Sequence, residues 1–103
     1  MTRSHEPLIR LARFKVEELQ KQMAELDRSR QALIDQIERL EASVPEEQAV
    51  ATESKEGFLA YGSYAQAVIK RKDNIRLSLD EVEVQAEALR TRLSEAFQEL
   101  KKY

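Results

Sequence analysis

Apolar residues recur along this chain at alternating steps of three and four. From Ile9 the series runs Ala12, Val16, Leu19, Met23, Leu26, Arg30, Leu33, Ile37, Leu40 and Val44, and ten of these eleven positions are apolar. From Tyr61 it runs Ala65, Val68, Lys72, Ile75, Leu79, Val82, Ala86, Leu89, Leu93, Ala96, Leu100 and Tyr103, with twelve of thirteen apolar. A mean step of 3.5 residues keeps one narrow stripe of a helix turned toward a partner, which is the seam of a coiled coil. The pattern therefore predicts two long helices. Arg30 and Lys72 are the only polar seam positions, and buried polar side chains at such sites lower stability while specifying register.

The stretch between the seams predicts where the helices stop. Pro45 lacks a backbone N–H and clashes with the preceding turn, which places the end of helix one near Val44. Ser43 with Glu46 allows a short helical restart, Gly57 and Gly62 mark a turn, and Ser63 with Gln66 offers a capping box for helix two. The expected boundaries are helix one over about 6–44, a connection over about 45–62 and helix two over about 63–103. A short connection makes sequential helices antiparallel neighbours. The expected fold is all-α: two long helices in an antiparallel coiled-coil hairpin, a rod in which each helix of about 40 residues spans roughly 60 Å. One register aligns every layer, with Val44 opposite Tyr61, Ile37 opposite Val68, Met23 opposite Val82 and Val16 opposite Leu89. A register shifted by one heptad is also allowed if the restart after Pro45 extends helix one. Pairing of the helices between chains is a further alternative.

Composition narrows the function classes. At 103 residues the chain is one domain at most, and its 35% charged residues and abundant Ala, Leu, Glu, Gln, Lys and Arg are those of long helices. Without cysteine there is no disulfide framework and no thiol chemistry, and His5 is the only histidine, most simply a residue of a disordered tail. No apolar run approaches the roughly 18 residues of a membrane span, and the start lacks a secretory core, so the expectation is a soluble cytoplasmic protein. There is no phosphate loop, and neighbouring carboxylates such as Glu17/Glu18 and Asp80/Glu81 read as solvated helix surface. A two-helix rod offers no enclosed pocket, so the chain is read as no enzyme, with no metal and no cofactor.

The net charge of −2 gives no bulk attraction to nucleic acid, and Lys70-Arg71-Lys72, followed by Asp73, is too short for a nucleic-acid patch. Its distribution says more. Residues 1–15 and 90–103 carry eight basic side chains, Arg3, Arg10, Arg13, Lys15, Arg90, Arg92, Lys101 and Lys102, against Glu6, Glu95 and Glu99. Residues 45–60 carry Glu46, Glu47, Glu53 and Glu56 against Lys55. A folded hairpin thus has a basic open tip, suited to an acidic socket, and an acidic bend. Phe58, Tyr61 and Tyr64 cluster near the bend. They serve as contacts or, more plainly, seal the end of the coiled coil.

The run Leu8-Ile9-Arg10-Leu11-Ala12-Arg13-Phe14-Lys15-Val16-Glu17-Glu18 resembles the opening of the flagellar export protein FliJ family in its alphaproteobacterial form. So do Ala60-Tyr61, Tyr64-Ala65-Gln66-Ala67, Arg71-Lys72-Asp73-Asn74-Ile75-Arg76 with Ser78, and Ala96-Phe97-Gln98-Glu99-Leu100-Lys101-Lys102. The resemblance covers essentially the whole chain. It implies an antiparallel coiled coil similar to the stalk of rotary ATPases. It also implies a non-catalytic role in bacterial flagellum biogenesis, and so in motility and chemotaxis, within type III protein export. FliJ-like proteins enter the pore of the hexameric flagellar export ATPase with the open tip, for which Arg10, Arg13, Arg90 and Arg92 are the candidates here. Their shaft contacts the export gate protein and escorts export chaperones. By matching type and position, Gln36, Leu40, Tyr64 and Val68 are the counterparts of the gate-facing flank, while neighbours such as Ser43 do not match. The implied location is the cytoplasmic face of the inner membrane, reached only through partners. Family members run some tens of residues past the counterpart of Tyr103, so a short or truncated second helix is expected. Two other readings use the same hairpin: a generic coiled-coil scaffold, and a prefoldin-like holding chaperone. The second is weakened because 45–60 has no strand alternation.

Overall fold

The computed structural model describes residues 5–103. Arg3, counted above in the basic tip, lies outside the described residues. Two helices, α1 (Glu6–Ala51) and α2 (Lys55–Lys101), form an all-α helical hairpin, and no strand occurs among the described residues. Glu6 places a negative charge in the first turn of α1 and Lys101 a positive one in the last turn of α2, each complementing the helix dipole. Pro7 falls where a missing N–H costs no internal bond. The Ile9 N–H donates to the His5 carbonyl at 2.8 Å, and the His5 ring packs edge-on against Tyr103, so His5 is an ordered neighbour of the C-terminus rather than a disordered tail.

The seams predicted from spacing are the covered positions. All eleven in α1 are buried or half-buried, as are all of those in α2 except Tyr103. The helix limits differ from expectation. Pro45 lies inside α1, and the helix continues to Ala51. Ala51 sits one heptad beyond Val44 and is 7% exposed, so covering it rewards continuation of the helix past the proline. Gly57 and Gly62 both lie inside α2. The connection is 52–54 rather than 45–62, and helix two begins at Lys55, not near 63. The capping residue is Ser54 instead of Ser63: its Oγ accepts from the Gly57 N–H at 2.9 Å. Gly57 is needed for close approach, since a Cβ there would stand 3.3 Å from the Val50 carbonyl oxygen and 3.4 Å from the Ala51 Cα. Its missing side chain lets the first turn of α2 lie against the last turn of α1.

Both helices contribute to each of two compact units. In the unit made of residues up to Ser29 and from Val82 to Tyr103, Val16, Leu19, Leu89 and Ala96 form a buried cluster, with Met23, Leu26, Leu93 and Leu100 packed on it. This membership departs from the first register, in which Ala96 faces Ile9 and Met23 faces Val82, two residues outside the cluster. The one-heptad shift accounts for it, with Val16 opposite Ala96, Leu19 opposite Leu93 and Met23 opposite Leu89. Its stated condition is met, because helix one does extend past Pro45. In the other unit, Arg30–Glu81, Val68 and Ile75 are buried, and Lys72 pairs with Glu41 at 3.2 Å. The shifted register sets Lys72 opposite Leu40, beside that carboxylate. The Lys72 stem fills the seam while its ammonium reaches Glu41, so this polar position is not simply a cost.

Two outcomes follow from this packing. Cysteines replacing Met23 and Leu89 should oxidise to an intramolecular disulfide at low protein concentration, faster than a Met23/Val82 cysteine pair. The rates are read by non-reducing electrophoresis. Exposed Pro45, replaced by alanine, should raise the melting temperature, with about 2 kcal/mol gained from the restored helical N–H and propensity after the stiffer unfolded chain is lost.

Candidate partner-binding surfaces

The basic residues named from the sequence lie in the unit that carries both ends of the hairpin, and Arg10, Arg13, Arg90 and Arg92 are all exposed. The heptad places them differently around the pair. Arg13 and Arg90 follow seam residues Ala12 and Leu89, while Arg92 precedes Leu93 on the opposite flank, and Arg10 is turned outward. Arg90 also donates to Glu87 at 2.7 Å, one turn back on its own helix, which partly neutralises it. Arg92 borders a groove with Phe14, Lys15, Glu18 and Gln22 of α1. The positive surface is therefore distributed around the unit rather than focused on one edge.

A polar network ends this unit. Glu99 accepts from the Lys102 ammonium at 3.3 Å and from the Tyr103 hydroxyl at 3.1 Å. The hydrogen bond from Lys102, then that from Tyr103, and the Lys102 charge hold the Glu99 carboxyl below its ordinary range; Lys15 adds a weaker pull. The same carboxylate, as hydrogen-bond acceptor, pushes the Tyr103 phenol up.

Of the residues matched to the gate-facing flank, the structure brings three to an accessible place. Gln36 and Leu40 line a shallow groove with Arg39, Ser43 and Arg71. Tyr64 belongs to the same unit and meets Ser43. Because the Ser43 hydroxyl donates to the Leu40 carbonyl at 2.6 Å, the Tyr64 hydroxyl is the donor to Ser43. Val68 is different. It is 6% exposed in the seam, so it supports the surface from beneath and offers little to a partner.

Ser43 and Arg71 were not chosen from the sequence, although the signal was present. Ser43, Tyr64 and Arg71 each immediately precede a seam residue of the same heptad type, Val44, Ala65 and Lys72. In an antiparallel pair these positions share one flank. The aromatic cluster also divides. The Tyr61 and Tyr64 rings lie 6.3 Å apart and are half-buried, whereas Phe58 is 70% exposed and does not seal the coiled coil.

No group of three or more metal-ligating side chains occurs among the described residues, and no described helix is long and apolar enough to cross a membrane. The fold and these surfaces define a helical hairpin with polar, partner-sized flanks. No family model, no curated protein and no solved structure matches the chain.

The Glu99 network has a measurable titration. Tyr103, raised in the folded state, favours folding fully below the ordinary tyrosine range, and that contribution disappears as pH rises through the raised value. Glu99, lowered, favours folding above the ordinary carboxylate range and loses this as pH falls through its folded value. Glu99→Gln should bring the Tyr103 phenol down toward the ordinary range, read by ring-labelled tyrosine NMR, with Tyr61 and Tyr64 unchanged.

Proposed function

We propose that this chain is a non-catalytic stalk and escort protein of the FliJ type. In this reading its basic end docks into the acidic collar of the hexameric flagellar export ATPase, and its Tyr64 flank meets the export gate and export chaperones. The observation that carries the docking step is the set of four exposed arginines on the unit holding both ends of the hairpin. The resemblance of the two helices to that family supplies the identity of the partners. The Gln36–Leu40–Ser43 groove with Tyr64 beside it supports a second contact distinct from the first. The protein works at the cytoplasmic face of the inner membrane, held there by its partners, and needs neither cofactor nor nucleic acid.

Exposed charges act mainly on encounter, so association should be fast at low salt and fall steeply with ionic strength. Changing Arg10, Arg13, Arg90 and Arg92 to glutamate should slow binding to the purified export ATPase by roughly ten- to a thousandfold at low salt. It should also flatten the salt dependence, with helicity retained by circular dichroism. Tyr64→Ala should leave ATPase binding intact and weaken the gate contact. A folded arginine variant that binds with unchanged rate and salt slope removes the docking role and favours the scaffold reading.

A further inference from the structure

The Arg30–Glu81 unit carries a patch that the reading above does not use. Val50, Phe58 and Leu59 are 54%, 70% and 67% exposed. Their exposure follows from the connection. Gly57 faces the Val50–Ala51 backbone at van der Waals distance, so the next two residues of α2 rotate away from α1. A phenylalanine and a leucine side by side in the open, next to a valine, form the type of apolar surface that marks a contact site.

Its rim is acidic. Glu46 and Glu47 stand one turn before Val50 in α1, Glu53 lies in the connection, and Glu56 stands one turn before Leu59, with Lys55 the single opposing charge. A second copy docking bend to bend would bring these carboxylates together, and like-charge juxtaposition is penalised. The backbone here is helical, its N–H and C=O groups engaged internally. A partner is therefore read by side chains and cannot add as a strand; it must satisfy its own backbone, as a helix does.

We propose that the Val50/Phe58/Leu59 patch binds a basic amphipathic helix of a partner protein, with apolar side chains on the patch and lysine or arginine against the glutamate rim. This inference is independent of the tip and of the Tyr64 flank. A three-residue apolar centre is far smaller than the roughly 20–30 residues a side of a standard interface, so the contact is weak and reversible.

The test uses the full chain and two labelled model helices of equal length, one leucine/lysine and one leucine/glutamate, with polylysine as a charge-only control, all followed by fluorescence anisotropy. The leucine/lysine helix should bind and the other two should not. Phe58→Gln with Leu59→Gln, at exposed positions and in a good helix former, should weaken binding about tenfold or more. A Glu46, Glu47, Glu53 and Glu56 to glutamine variant should reduce the salt slope, an arm that stands even if the first variant is less helical. Equal binding of polylysine, or unchanged binding by the folded Phe58/Leu59 variant, overturns the proposal. Sedimentation of the protein alone showing a dimer abolished by Phe58→Gln/Leu59→Gln would assign the patch to a second copy and overturn it as well.

Discussion

Burial of one narrow apolar stripe per helix is the constraint to which the other features of this chain are fitted. A two-helix protein has no second layer to cover misplaced apolar groups, so only side chains on the 3-4 seam can leave water. The cluster of Val16, Leu19, Leu89 and Ala96 with its half-buried neighbours is therefore the centre of its unit. Alanines at Ala12, Ala86 and Ala96 let the two backbones approach, and they are among the most completely covered residues. Where the seam continues, the helix continues. Ala51, a heptad past Val44, is covered in spite of Pro45, whose helix-interior cost of about 3 kcal/mol is offset by burial and by the turns on either side.

Polar groups are admitted to this stripe only where a long side chain can leave it. Lys72 does so by pairing with Glu41 across the helices. The pair is partly solvated, so its energetic worth is modest, and its clearer effect is on alignment: an ammonium in the seam is tolerated in the registers that place a carboxylate beside it. The Tyr64–Ser43–Leu40 chain of hydrogen bonds works alike, because a tyrosine at the seam edge orients its hydroxyl on a specific neighbour. These polar links distinguish one heptad alignment from the next, which apolar layers of similar size do poorly.

Outside the seam the chemistry is that of surfaces. Arginines ring one unit, and glutamates surround exposed apolar side chains at the connection of the other. The helices present open flanks to partners. Recognition on such flanks depends on which side chains the heptad brings to one edge, and on how far each is already engaged within its own helix, as Arg90 is by Glu87.

The fold class and the identity of nearly every covered residue were determined by the sequence alone. Periodicity is a local property that survives any choice of register, and the seam positions from Ile9 to Leu100 are those that are buried or half-buried. Helix ends and alignment were decided by tertiary structure. Pro45, Gly57 and Gly62 read locally as stops, but local propensity is outweighed where the next turn buries Ala51, and Gly57 proved to be a point of contact between helices rather than a turn. The first register and its one-heptad alternative place apolar side chains opposite one another equally well, so the sequence could not separate them; the Lys72–Glu41 pair and the cluster around Val16 do. The candidate surfaces followed the same division. Exposed charge at Arg10, Arg13, Arg90 and Arg92 was legible from heptad position, whereas the burial of Val68, the recruitment of Ser43 by Tyr64 and the outward turn of Phe58 each depend on where the second helix lies, which no single helix's pattern contains.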